Sequence, residues 1–174
     1  MAHPVTLLDG ARRAAFDAWI AGMTIAEDRE DGPGFAAWIA EHAAIAGDVT
    51  WAFIDADGLM CATASLVRVD RGLAAPTDGW VLAGVNVARA WRGRGVGAAV
   101  VAWVLDELRC RAAAAQRPLA VLLQADNPAA IRLYCRHGFA ADDRRPGVYR
   151  LLVAPPVHAG RDGATPEAPR TTLA

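Results

Sequence analysis

An α+β domain built on a central mixed sheet is what this sequence predicts, and three observations carry the prediction. Short β-rich runs bounded by turn residues alternate with a long amphipathic stretch in the second half of the chain. A glycine-rich turn joins one of those runs directly to the amphipathic stretch. The 174 residues suit one domain able to bury a core without metals or disulfides.

In chain order, residues 5–8 read as a short strand and 11–20 as a helix carrying Phe16, Trp19 and Ile20. Residues 35–45 form a second candidate helix. The connection between the helices holds Glu27, Asp28, Glu30 and Asp31 beside Gly32, Pro33 and Gly34, a composition that favours an exposed segment. Residues 50–54 and 59–69 read as two strands joined through the turn signal Asp57-Gly58. Residues 80–87 form the next strand, interrupted by Gly84, where a missing side chain permits a bulge or a close ligand.

From Val96 to about Ala115 the pattern turns helical. Val100, Val104 and Leu108 recur at four-residue spacing, widened by Val101 and Leu105, while Asp106, Glu107, Arg109 and Arg111 are expected to face water. Residues 119–123 are a short apolar strand. Asn127-Pro128 starts a short helix, with asparagine at the cap and proline at the first helical position. Gly138 ends it in a left-handed conformation. Phe139 and Ala140 begin another extended piece, and residues 144–147 turn into a strand at 148–153. The domain is expected over residues 1–154, with 155–174 a disordered tail rich in proline, glycine and alanine.

Composition excludes several functions. A formal net charge of -1 gives no overall attraction for nucleic acid. Cys61, Cys110 and Cys135 are widely separated, without a CxxC pair, which is a poor framework for zinc or for disulfides, so no metal is expected. The first residues lack a basic start followed by an apolar run, and no uncharged stretch has transmembrane length. A soluble cytoplasmic protein without a membrane partner is the expectation.

The most informative stretch is VNVARAWRGRGVGAAVVAWVLDEL. Gly93, Gly95 and Gly97 let the backbone curl around a ligand, and the helix that follows presents N–H groups without intrahelical acceptors. A phosphate or pyrophosphate suits those donors. Residues 93–98 also satisfy a loose GxGxxA dinucleotide pattern, but no Asp or Glu closes the next strand to take a nucleotide ribose. A GxxxxGK motif followed by Ser or Thr is missing, which disfavours a P-loop kinase or ATPase.

Arg92-Gly93-Arg94-Gly95-Val96-Gly97 resembles the Q/R-x-x-G-x-G/A acetyl-CoA loop of the GNAT acetyltransferase superfamily. Residues 127–139, NPAAIRLYCRHGF, resemble its downstream N-P-x-A-x-x-L-Y-x-x-x-G-F stretch. The two motifs stand in the family's order, and the resemblance covers residues 5–153, the first part in general organisation only. It implies a three-layer fold with a mixed, mostly antiparallel sheet flanked by helices, and acetyl transfer from acetyl-CoA to a primary amine.

The resemblance also implies roles for particular residues. Backbone N–H groups of Arg94, Gly95, Val96, Gly97 and Ala98 would hold the coenzyme pyrophosphate, with Arg92 and Gly93 in the same loop. Val85 and Val87 would run beside the pantetheine arm, and the Val87 N–H would serve the thioester carbonyl. Asn127 would contact the coenzyme, cap its helix, or do both. Tyr134 would protonate the departing CoA thiolate, with a core aromatic role as the alternative.

Relatives often carry a glutamate on the strand before the loop. This chain has Asn86 there, which can orient a group but cannot accept its proton, leaving Asp78 or Glu27 as replacements or as surface charges. Cys135 lacks a histidine relay and is expected to be a buried inert thiol. His137 is expected to serve the helix end, and Cys61 to pack in its strand. The acceptor is expected to be a small-molecule amine, met by a monomer or homodimer. A protein N-terminus or lysine, and a non-catalytic acyl-CoA-binding module, are the alternatives.

Overall fold

In the computed structural model the short β-rich runs of the chain pair into one sheet, and the run from Cys61 to Val67 is buried on both faces. The structure describes residues 3–6, 48–68 and 79–156. The two expected helices before residue 48, the acidic connection, Asp78 and residues 157–174 lie outside the described residues.

Seven strands make one sheet in the order β1-β2-β3-β4-β5-β7-β6. They are β1 (His3–Thr6), β2 (Val49–Ile54), β3 (Met60–Arg68), β4 (Trp80–Val87), β5 (Leu119–Gln124), β6 (Ala140–Ala141) and β7 (Val148–Val153). A 3-10 turn at Arg89–Trp91 leads to helix α1 (Val96–Ala115), and helix α2 (Pro128–Arg136) follows β5. All the pairings are antiparallel except β4 with β5. The sheet is therefore mixed and mostly antiparallel, flanked by helices, as the resemblance implies. The first strand falls at His3–Thr6, two residues earlier than the sequence pattern places it.

Helix α1 forms where the apolar spacing predicts it. Val100, Val101, Val104, Leu105, Leu108 and Ala112 are buried, and the helix packs across β3 and β4. Its polar face carries an Arg109–Asp106 ion pair and an Arg111–Glu107 pair at 2.9 Å, one turn apart. On the sheet, Trp51 opposes Ala64 and Phe53 opposes Ala62. The small partners leave room for Trp103 of α1, whose ring meets Trp51 edge-on at 4.9 Å and Phe53 at 5.6 Å. Cys61 is buried in its strand, as expected, with its thiol donating to the Phe53 carbonyl at 3.1 Å.

Between β2 and β3 the Asp57-Gly58 turn forms as read. The Asp55 carboxylate accepts the N–H groups of Asp57 and Leu59, both at 2.9 Å, and Gly58 adopts φ 79°. Helix α2 ends at His137, with Gly138 at φ 89° carrying the chain out. Burial and the neighbouring Arg136 push the His137 imidazole below its ordinary pKa. One expectation fails here: Cys135 is exposed, not buried. Successive helical residues point about 100° apart, so the turn that buries Tyr134 carries Cys135 to the outer face.

Leu108 is fully buried between α1 and the sheet. Leu108→Ala is expected to lower unfolding free energy by about 2–5 kcal/mol. Urea unfolding followed by tryptophan fluorescence measures that loss.

Candidate functional site

The site begins with an irregularity in β4. Thr63 opposes Asn86 and Ser65 opposes Ala83, so Gly84 and Val85 together face the single residue Ala64. Gly84 takes φ 57°, a conformation costly for any residue with a Cβ. The bulge displaces the Gly84 carbonyl from the ladder, and the Thr63 hydroxyl donates to it at 2.9 Å. Thr63 is itself fully buried, so this bond also satisfies a hydroxyl that water cannot reach.

Past the bulge, β4 and β5 separate. Their parallel pairing consists of Trp80 with Val121 and Val81 with Leu122. Val87 lies beyond that contact, opposite Ala62 on β3. The Ala88 N–H donates to the Cys61 carbonyl at 2.9 Å, which makes Ala62 and Val87 a non-hydrogen-bonded pair. The Val87 N–H and carbonyl consequently point away from β3, toward the opening that β5 leaves. Its carbonyl accepts from Arg92 Nε at 2.9 Å, which fastens the glycine loop to the strand end.

The loop then enters α1 through Gly95, the N-cap residue, at φ 80° and ψ -2°. No side chain caps the helix, and the first intrahelical bond runs from the Ala99 N–H to the Gly95 carbonyl at 3.0 Å. The N–H groups of Val96, Gly97 and Ala98 therefore have no acceptor within the helix. Helix α2 makes the opposite choice: Asn127 Oδ1 accepts from Ala129 N at 2.8 Å and from Ala130 N at 3.4 Å. Two helix starts face one cleft, one closed by its own side chain and one open to an anion.

That cleft has a volume of about 490 Å³. It gathers Val85, Asn86 and Val87 from β4, Arg92, Gly93, Gly95, Val96 and Gly97 from the loop, and Asn127 from the start of α2. An added Cβ would meet nothing within 4 Å at Gly93 or Gly95, so the space over the loop is open. At Gly97 it would come within 3.4 Å of Leu133 and 3.7 Å of Val87, because here α1 approaches both α2 and β4.

Three expected residues stand apart from the lining. Ala98 lies one position beyond it, in the first turn of α1. The Arg94 side chain turns to the other flank, 5.6 Å from the centre of the Trp91 ring. Tyr134 is 7% exposed and packs edge-on against Phe139 at 5.8 Å. Among the described residues its hydroxyl has no hydrogen-bond partner, and burial pushes its pKa up. A phenol kept protonated by burial suits an acid and not a base.

Sequence reasoning missed Thr63, Trp91, Ala129, Ala130 and Leu133. Ala130 and Leu133 are themselves positions of the motif quoted for α2 and Ala129 lies between its fixed residues, so the motif could have pointed to all three. Nothing in the sequence pairs Thr63 with Gly84. Among the described residues no carboxylate lines the cleft.

With this geometry established, comparison with known proteins decides the family. A model of the acetyltransferase (GNAT) family matches residues 12–139. The chain belongs to that family. As a GNAT protein it is an acetyl-CoA-dependent N-acetyltransferase. No curated protein sequence matches it significantly.

Solved structures repeat the GNAT fold at low identity. A putative GNAT-family acetyltransferase from Desulfovibrio desulfuricans is 19% identical, with 88% of this chain and 100% of that one covered, at a TM-score of 0.66. The Escherichia coli GNAT family N-acetyltransferase YhbS, solved in complex with CoA, is 19% identical over 88% of this chain and 82% of its own, at 0.64. The ribosomal-protein-S18-alanine N-acetyltransferase from Escherichia coli is 20% identical over 93% and 98%, at 0.59. At such identities the likeness is one of fold.

Thr63→Val removes the bond to the Gly84 carbonyl while keeping the side-chain shape, and is expected to cost about 1 kcal/mol of stability. Thr63→Ser should recover most of it. Gly84→Ala is expected to cost about 1–2 kcal/mol through its left-handed backbone. Denaturant unfolding of the three variants checks the order.

Proposed function

We propose that this GNAT enzyme acetylates a primary amine of a small molecule by direct attack within a ternary complex. The observation that carries the reading is the convergence, on one cleft, of the uncapped N-terminus of α1 and the outward N–H of Val87.

In this reading the N–H groups of residues 94–98 hold the coenzyme pyrophosphate, with Arg92 and Gly93 shaping the loop around it. Val85 and Val87 flank the pantetheine arm. The Val87 N–H donates to the thioester oxygen, where negative charge grows as the amine adds to the carbonyl carbon. A carbon–nitrogen bond forms and the carbon–sulfur bond breaks, with the electron pair leaving on sulfur. Tyr134 donates its proton to that sulfur, and Asn86 orients the amine. The nitrogen, cationic after it adds, gives up a proton to water in the cleft, from which the phenolate is reprotonated. Asn127 keeps its capping role and offers its amide N–H₂ to the coenzyme.

The incoming amine must shed a proton before it attacks. Asn86 cannot take it, and the carboxylates Asp78 and Glu27 belong to segments outside the described residues. We assign the step to water in the cleft, so that activity rises with pH as the free amine form of the acceptor becomes populated. Proximity within the cleft then supplies most of the acceleration.

The near-neutral formal charge of -1 supports a reading without a nucleic-acid partner. A protein N-terminus is the second reading, favoured by the fold shared with the ribosomal-protein alanine acetyltransferase along nearly its whole length.

Release of CoA thiol on adding a panel of small amines and of short peptides tests both readings. Turnover on amines with none on peptides is the expected outcome; the reverse pattern moves the assignment to a protein substrate. Acetyl-CoA binding with no release from any acceptor would sink catalysis altogether. Tyr134→Phe is expected to lower kcat by about a hundredfold while changing coenzyme affinity little, as loss of a general acid requires. Since burial raises this phenol above its ordinary pKa of 10.0, its protonated form persists below that pH. No downward limb of kcat below pH 10 should depend on Tyr134.

A further inference from the structure

On the other flank of the first turn of α1 lies a second cavity of about 550 Å³. Among the described residues its walls are Phe53, Trp91 and Trp103, with Ala99 on the helix side and Asp55 and Asp57 supplied by the β2–β3 turn. Arg94 and the start of α1 complete it. Trp91 borders both cavities, yet their chemistries are opposed. The cleft offers backbone donors and lacks a carboxylate among its described lining, whereas the described lining of this cavity offers aromatic rings and two carboxylates beside the Arg94 guanidinium.

Aromatic rings beside carboxylates favour a positive charge carried on an apolar group. One carboxylate is structurally engaged: Asp55 Oδ1 fixes the turn through the N–H groups of Asp57 and Leu59. The Asp57 side chain is exposed, with no hydrogen-bond or ion-pair partner among the described residues. The protein already sets a cation against this wall, for the Arg94 guanidinium stands 5.6 Å from the Trp91 ring centre. Among the described lining residues two carboxylates stand against that single guanidinium, a balance that favours a cationic ligand. Phe53 and Trp103 are held by ring contacts with the core, which keeps the walls in place without a ligand.

We propose that this cavity is a binding site for a small organic ammonium ion bearing an apolar group, separate from the cleft beside Val87. Trp91, Gly95 and Val96 line both, so the ligand contacts the loop from behind. The site does not depend on the assignment of the acceptor amine.

Phenyltrimethylammonium is a suitable probe, because its nitrogen has no lone pair and cannot be acetylated. In 15N-labelled protein the indole N–H signals of Trp91 and Trp103 are expected to move saturably with the probe, while that of Trp80 stays in place. Neutral benzyl alcohol should bind at least about fivefold more weakly, the share expected of the charge. Phenylacetate should not bind. Asp57→Asn, an exposed substitution, should weaken the probe by about two- to fivefold. Ala99→Trp should fill the cavity and abolish probe binding while acetyl-CoA still binds, which separates this site from the coenzyme cleft. The proposal is overturned if the two indole signals stay fixed up to millimolar probe. It is equally overturned if benzyl alcohol matches the cation, or if both variants bind the probe as the parent protein does.

Discussion

The rest of the site depends on β4 being unable to stay beside β5. Two parallel pairs at Trp80 and Val81 hold the strands together, and then the bulge at Gly84 and Val85 turns β4 off line. A regular strand would have continued its ladder and consumed the Val87 N–H and carbonyl. Separation leaves that peptide group facing a cleft, with its carbonyl taken by Arg92 and its N–H directed inward. Because the next turn of chain starts α1, the same departure brings an uncapped helix N-terminus to the same opening.

Such a site has to be held open against the tendency of buried polar groups to pair. The core does the holding. Valines 100, 101 and 104 with Leu108 fix α1 across β3 and β4, and Trp103 locks it sideways against Trp51 and Phe53. Gly97 allows Leu133 of α2 to come close without collapsing the gap. Thr63 supports the bulge from the buried side of β3. The uncapped end of α1 is thus set by packing contacts that need no ligand, which is the condition for electrostatic preorganisation.

The two flanks of α1 divide the charge of the region. Backbone donors and Arg92 face the cleft beside Val87, while Asp55, Asp57 and three aromatic rings gather behind the loop. Arg94 leans toward the latter, against Trp91, although its sequence position suggests the former. In a loop with alternating glycines, neighbouring side chains have no regular face to keep. Their direction follows the nearest ring or charge.

Most of the strands, both described helices and the glycine loop were legible in the sequence, since each rests on local physics. Apolar spacing marks α1, Asn127-Pro128 marks the start of α2, and Gly84 announces a break in β4. Cys135 was misread because a nine-residue helix gives too few turns to fix its buried face from composition. Thr63 could not be found, because its value comes from a carbonyl twenty-one positions away. The sequence by itself determined which segments are strand or helix and that a curled loop would present unpaired N–H groups. Tertiary structure alone decided that β4 parts from β5, that Arg94 and Arg92 serve different flanks, and that Tyr134 is buried. Each of these is a contact between distant segments, and no local pattern encodes the distance between two strands once they stop sharing hydrogen bonds.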